Sequence, residues 1–438
     1  MPGRCGWPGT RSRSHCSSHS WPTKGTAGRN SRTGSSGSGS RSADGGLPMT
    51  IAARLLTAAS LLLTAASGHR DAASSRSHEA RPYPFEIASN KPFVQVCAEG
   101  SVIAKECADR LGLERRDETQ QHLGAGAGVA VGVATTSGVT LSVAGDTLRA
   151  PEFRVFTLAH VAPYEGRRVD GLLGDDFLSR HVVEIDYAHR GFRLIDPGHY
   201  APDPRAVVVP ITFDHGLAVA SGAITTPDGA ALDCRLVIDT GVRATVILFH
   251  PFVVERRLLA SQPTLLAGTI GGGAGGETIG DIGRLASLRI GGMSFDRPTA
   301  IFSRDTVGVF AGHDQDGIIG GELLRRCKVT FDYPHQLLIL ELYAAQPAAF
   351  EYDMSGLFLV ARGDDFQELV IQSVAAGTPA ADAGLKRGDR IVAIDGRGGA
   401  ALALEPVREL FRKPGVHRLD VARGGERLSV RLTTRRLV

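Results

Sequence analysis

The chain has 438 residues, 42% of them apolar and 6% aromatic, with 54 glycines and a formal net charge of +3. That length is a prior for about three domains. The apolar share can bury real cores, and abundant glycine with few aromatics favours short strands and turns over helix bundles. Much of the basic excess lies in residues 1–48, which are rich in Arg, Ser and Gly and show almost no apolar periodicity. They read as disordered and as translated sequence upstream of the true start, with no nucleic-acid partner implied.

Met49 opens a leader spanning residues 49–67. It has one positive charge at Arg54, an apolar and small-residue stretch from Leu55 to Ala66, and the cleavage-type sequence Ala65-Ala66-Ser67-Gly68. This predicts export to the periplasm or the cell exterior, with a mature chain beginning near Gly68. The stretch is too short for a stable membrane span, and no other segment approaches the required ~20 apolar residues. Cys97, Cys107, Cys234 and Cys327 lie beyond the leader, at spacings unlike a metal site. Disulfides and inert buried thiols both remain open for them.

The chain then repeats itself. Asp170-Gly171-Leu172-Leu173-Gly174 precedes Phe177-Leu178 and Ile185-Asp186-Tyr187, and Asp316-Gly317-Ile318-Ile319-Gly320 precedes Leu323-Leu324 and Phe331-Asp332-Tyr333. A repeat this long predicts two copies of one mainly β domain, over residues 85–198 and 210–343, joined by a linker at Pro202–Pro210. In the second copy, Leu217–Ile224 and Leu232–Ile238 flank Pro227-Asp228-Gly229, a hairpin signal. The Gly268–Gly280 stretch predicts a mobile loop or hairpin tip, and a short helix is expected over Glu322–Arg326. Asp175 and Asp176, just after Gly174, are expected to cap the next helix.

Chemistry is concentrated at Asp239-Thr240-Gly241, which ends the apolar run Leu236-Val237-Ile238. Peptide hydrolysis by carboxylates uses two Asp side chains sharing one proton, because like charges that close cannot both ionise. The ionised one takes a proton from a water held between them, and the protonated one polarises the scissile carbonyl. Such an acid belongs at the end of a rigid strand, on a turn that leaves its oxygens free. Thr240 can lock that turn by donating its hydroxyl to the backbone, and Gly241 lets it close tightly. The apolar pair before Gly320 suits a strand that threads beneath the Asp239 turn.

Together these features resemble the retropepsin-like aspartic peptidases in their exported, tandem-lobed bacterial form, from about Phe85 to Leu342. The resemblance implies two tandem β-barrel lobes, a catalytic Asp239, loop support from Thr240, Gly241, Ile319 and Gly320, and a flap near Thr269–Ile279. Val242 departs from the Ala or Ser usual beside the acid. The first lobe departs further and is truncated. Phe93–Val96 reads as its first hairpin strand and Ser101–Ile103 as the segment just past the acid turn, with the strand and turn between them missing. Gly229 to Val246 spans 17 positions and Gly100 to Val102 spans 2, a deficit of 15. Asp109 and Glu99 are preceded by no buried strand and are no substitute. Three explanations stay open: a homodimer pairing two second lobes, an inactive binding protein, or a gap in the sequence itself.

From Tyr352 to Val438 the pattern changes. Gly377-Thr378-Pro379-Ala380, Ala383-Gly384-Leu385, Gly388-Asp389, Ile391 and Asp395-Gly396 resemble a PDZ domain of the kind attached to bacterial proteases. That resemblance implies strand addition by a C-terminal peptide, with Gly356, Leu357, Phe358 and Leu359 as the carboxylate loop. The function expected is an exported aspartic endopeptidase acting on polypeptides recruited by the PDZ domain; the alternative is a non-catalytic peptide-binding protein. No metal or cofactor is expected. No His cluster has ligand spacing, and the glycine run Gly271–Gly276 lacks a Lys-Ser/Thr pair for phosphate.

Overall fold

The computed structural model describes residues 101–438, apart from 124–129, 144–145, 150–151, 215, 274–275 and 345–348, together with the backbone of 56–57, 59–60 and 83–84. Most of the expected leader, Cys97, Glu99 and the Phe93–Val96 strand lie outside the described residues. The chain is mainly β, as expected, and its sheets are open: among the described residues none closes into a barrel.

The first repeat begins with β1 (Val102–Ala104), α1 (Lys105–Leu111), β2 (Arg116–Leu123), β3 (Ala130–Thr136) and β4 (Phe153–Phe156). It continues through α2 (Ala162–Glu165), β5 (Gly171–Leu172), α3 (Asp175–Leu178), β6 (Val182–Asp186) and β7 (Gly191–Ile195). Five of these strands form a sheet in the order β5-β1-β4-β3-β2.

The second repeat opens with β8 (Val207–Asp214), which starts inside the expected linker and contains Pro210. It continues with β9 (Leu217–Thr225), β10 (Ala231–Ile238), β11 (Val246–Leu248), α4 (His250–Glu255), β12 (Leu266–Gly273) and β13 (Gly276–Arg284). Then come β14 (Ser287–Ile290), β15 (Met293–Asp296), β16 (Thr299–Ser303), β17 (Gly317–Ile319), α5 (Gly321–Leu324), β18 (Cys327–Asp332) and β19 (Leu337–Leu342). The expected helix after Gly320 is therefore present, one residue earlier and shorter.

The repeat is visible as topology. β11 runs parallel to β16 and antiparallel to β17; β1 runs parallel to β4 and antiparallel to β5. Each repeat also ends in a hairpin, β6–β7 and β18–β19, and the two hairpins join through β6–β18 into one shared sheet. That pairing makes a single hydrophobic core out of both repeats, running from Val102 and Phe177 to Leu236, Ile319 and Leu338.

The C-terminal module has its own core around Leu359, Ile371, Ile391, Phe411 and Leu419. Its strands β20 (Leu357–Arg362), β21 (Glu368–Val374), β22 (Arg390–Ile394), β23 (Gly415–Arg423) and β24 (Glu426–Thr434) lie in that order in one sheet. α6 (Pro379–Asp382) and α7 (Leu404–Phe411) pack on it, α7 burying Leu404, Val407 and Phe411. Among the described residues no helix is long and apolar enough to cross a membrane.

Candidate active site

β10 delivers Asp239. Successive side chains of a strand point to opposite faces. Leu236 and Ile238 accordingly enter the main core, and Val237 joins a second apolar layer with Ile247, Ile270, Ile282, Ile301 and Ile318. Asp239 follows directly, where the strand ends and the turn begins.

β17 threads between the strand entering the acid turn and the strand leaving it. It pairs parallel with β10, placing Ile318 beside Val237 and Ile319 beside Ile238, and antiparallel with β11. Asp239 N donates to Ile319 O at 3.0 Å, Gly320 N to Thr245 O at 3.0 Å, and Gly321 N to Val242 O at 2.7 Å. The Asp239 carboxylate accepts from Gly241 N at 2.7 Å, which fixes its orientation. Thr240 is buried. Ile319, Gly320, Thr240 and Gly241 thus gather around Asp239, as the sequence pattern places them.

Gly320 has no room for a side chain. A Cβ there would overlap Ala244 O and fall 2.7 Å from Val242 O and 2.9 Å from Val242 Cγ1. Gly320→Ala is expected to push the acid loop off its brace and destabilise the protein by about 1–3 kcal/mol, the usual cost of overpacking. Urea unfolding of the variant against the parent chain measures this.

Two residues at the site were singled out in the sequence only as repeat markers. Tyr187 and Tyr333, each directly after the repeat's Asp, are both buried. Burial pushes both phenols up, and the Asp239 charge adds to the push on each. The matching Asp-Tyr pairs were the available signal for a shared role beneath the acid. Asp175 also raises Tyr333, and its own carboxyl is raised by burial.

In the first lobe, Ser101 stands where Thr245 stands in the second. Gly174 N donates to Ser101 Oγ at 3.0 Å. Asp176 does not cap α3 as expected; its Oδ1 accepts from Ser101 N at 2.9 Å and Ser101 Oγ at 2.7 Å. β5 ends its hydrogen-bonded sheet: among the described residues no strand pairs with its outer edge, where the counterpart of β10 would deliver a second acid, although the short strand Leu56–Thr57 lies near it. Asp109 lies on the surface, paired with Lys105 at 2.7 Å and Arg115 at 2.6 Å.

The glycine-rich stretch is a paired hairpin, β12–β13, not a structureless loop. Its glycines admit close neighbours: a Cβ at Gly280 would lie 2.8 Å from Phe302 O, and one at Gly283 2.6 Å from Gln262 Oε1. Ile270 and Ile282 turn from it into the second apolar layer.

The Gly356–Leu359 loop differs from an open groove. All four residues are buried. Gly356 N donates to Asp353 Oδ1 at 2.7 Å and Leu357 N to Ser355 Oγ at 3.0 Å, so two donors of the loop are already engaged. Arg408 of α7 donates to Leu359 O at 3.1 Å, and α2 of the first lobe lies along β20. Beside this loop is a cavity of about 90 Å³, whose walls include Arg243, Ile270, Ile301, Asp353, Leu359 and Arg412.

Asp353 Oδ1 also accepts from Ser355 N at 2.9 Å and Ser355 Oγ at 2.7 Å. Burial nevertheless pushes its carboxyl up to about 6. An acid raised on folding contributes stability that is complete below its unfolded value near 3.8 and is lost as pH rises through about 6. Asp353→Asn keeps an acceptor oxygen and cannot ionise. It is expected to raise stability at pH 7.5 by about 1 kcal/mol, well under the ~3 kcal/mol of the full shift because solvent reaches part of the group. The gain should vanish by pH 4, as read from thermal unfolding at both pH values.

Cys107, Cys234 and Cys327 are free and buried, and burial raises all three thiols, Cys234 and Cys327 to about 12. Among the described residues no group of three or more His, Cys, Asp or Glu could hold a metal ion.

Comparison with known proteins matches this architecture. The family model described as aspartyl protease matches residues 93–177, and the one described as PDZ domain matches residues 370–423. The chain therefore carries an aspartyl protease domain and a C-terminal PDZ domain. The aspartyl protease match falls on the first lobe, the copy without an Asp-Thr-Gly turn. Among solved structures, the chain is similar to a photosystem II D1 C-terminal processing protease, at 25% identity and a TM-score of 0.18. That alignment covers 20% of this chain and 24% of that one, so it spans about a quarter of that protein's length and carries no argument here. A comparison with curated proteins returns no match.

Proposed function

We propose that the chain is an exported aspartic-type endopeptidase. Asp239 is its water-activating carboxylate, and the PDZ domain brings polypeptide to the cleft. The observation that carries this reading is the clamp at the acid: β17 between β10 and β11, with Asp239 N on Ile319 O and Gly320 wedged under the loop. An acid held this rigidly is preorganised for general base work.

That chemistry needs a second carboxyl group. A homodimer could supply it only if the first lobe left its place, because that lobe already shares a sheet with the second through β6–β18. The lack, among the described residues, of a strand paired with the outer edge of β5 favours a second reading, in which the cleft binds extended polypeptide without hydrolysing it. Mature protein incubated with an unfolded polypeptide at pH 4–7 separates the two. Under the first reading Asp239→Asn abolishes cleavage, a loss of ~10²-fold or more, and a statine-type inhibitor blocks the parent chain. Retained peptide binding with no turnover at any pH selects the second.

A further inference from the structure

The ring of Tyr164, in α2, is where the first lobe, the β12–β13 hairpin and the PDZ domain meet. On one side it lies 6.0 Å from the Phe358 ring, tilted by 45°. On the other it carries the backbone of the hairpin: a Cβ at Gly272 would fall 2.6 Å from Tyr164 Cδ2, so β12 rests on the ring with no side chain between them. α2 itself lies along β20, and its C-terminal Gly166 abuts Leu404 of α7. A second tie joins the hairpin to the PDZ sheet, Gln372 Nε2 to Glu277 Oε2 at 3.4 Å.

Among the described residues β20 is an edge strand, paired with β21 alone. An edge strand is a template for an incoming extended chain, which would lie about 4.8 Å away. α2 and the Tyr164 ring now fill that position.

We propose that Tyr164 couples peptide binding at the PDZ edge to the position of the hairpin over Asp239. An extended peptide adding to β20 displaces α2 and carries the Tyr164 ring away. β12 loses the surface it rests on, and the hairpin lifts from the cleft. The coupling is reciprocal, so a polypeptide that lifts the hairpin also frees the PDZ edge. The cavity beside β20 combines apolar walls (Leu357, Phe358, Leu359, Ile270 and Ile282) with charged ones that include Arg243, Asp353, Arg408 and Arg412, which suits a peptide with apolar side chains and a terminal carboxylate. The inference rests on reading β12–β13 as the cleft's flap, part of the proposed function, but its test reads motion and not hydrolysis.

The test is amide hydrogen exchange of the full chain in an Asp239→Asn background, so that no peptide is consumed. The probe is a synthetic ten-residue peptide with apolar residues in its C-terminal half and a free carboxylate. Tyr164→Ala is expected to speed exchange in residues 266–273 and 276–284 by about tenfold without peptide, and to tighten binding of the probe by a similar factor. Saturating probe should produce the same acceleration with Tyr164 intact. Gly272→Ala, which drives β12 off the ring, should reproduce it independently. The proposal is overturned if the probe saturates the Tyr164-containing chain and the hairpin's exchange is unchanged. It is equally overturned if neither variant alters that exchange, or if the probe binds neither chain. Absent hydrolysis in the native-acid chain would count against the peptidase reading alone.

Discussion

Inserting a copy of residues 230–244 between Gly100 and Ser101 is expected to raise peptide-bond hydrolysis by about 10²–10⁴-fold, the usual contribution of a positioned acid–base partner. The copy carries a whole β10-type strand and an Asp-Thr-Gly turn, and its 15 residues equal the deficit between the repeats. The first lobe is prepared to receive it. β1 already occupies the place of β11, Gly174 already bonds the Ser101 hydroxyl, and the outer edge of β5 is the slot that β10 fills beside β17. The new turn would arrive near Tyr187 and Tyr333 from the opposite side to Asp239. Two carboxyls that close titrate as a pair, so the gained activity should show a bell-shaped pH profile. The inserted Asp changed to Asn supplies the control. An insertion that folds, as judged by its unfolding transition, and yields no turnover would defeat this account of the first lobe.

Arg412→Met is expected to cost about 3 kcal/mol and to lower the melting temperature by roughly 6–12 °C. Arg412 of α7 reaches Glu322 Oε2 at 2.8 Å, and Glu322 is only 5% exposed at its side chain. The same guanidinium donates to Glu351 O, from Nε at 3.0 Å and from Nη2 at 2.6 Å, and lies 3.3 Å from Glu409. Removing it takes one cation from a buried carboxylate and leaves Arg325 opposite, at 2.9 Å. Because Glu322 sits two residues beyond Gly320, the damage should spread to the brace under Asp239. Adding Glu322→Gln to Arg412→Met should recover much of the loss, since the buried charge is then gone. Thermal unfolding of both single variants and the double variant completes the cycle.

The parts of this molecule legible in the sequence are those fixed by local pattern. Leu236-Val237-Ile238 predicts a strand buried on both faces, and Pro227-Asp228-Gly229 predicts the hairpin of β9 and β10, which the register from Val219–Val237 to Thr225–Ala231 shows. The apolar pair before Gly320 predicts a strand beneath the Asp239 turn, and β17 supplies it. The features that escaped depend on distant surfaces meeting. Gly268–Gly280 reads as a mobile loop or a hairpin tip, and the hairpin is what forms; what the sequence hides is that its glycines let β13 lie against β16 and β12 against Tyr164. Gly356–Leu359 has the composition of a binding loop, and nothing near it in sequence reveals that α2, nearly 200 positions earlier, covers it. Asp176 looked like a helix cap because Gly174 precedes it, but Ser101, 75 positions away, is its partner.

The ladder of β7, β6, β18 and β19 alternates hairpins from the two halves of a duplicated ancestor, and neither half can complete it alone. A first lobe without an Asp-Thr-Gly turn of its own therefore still carries weight, for its strands are half of a common foundation.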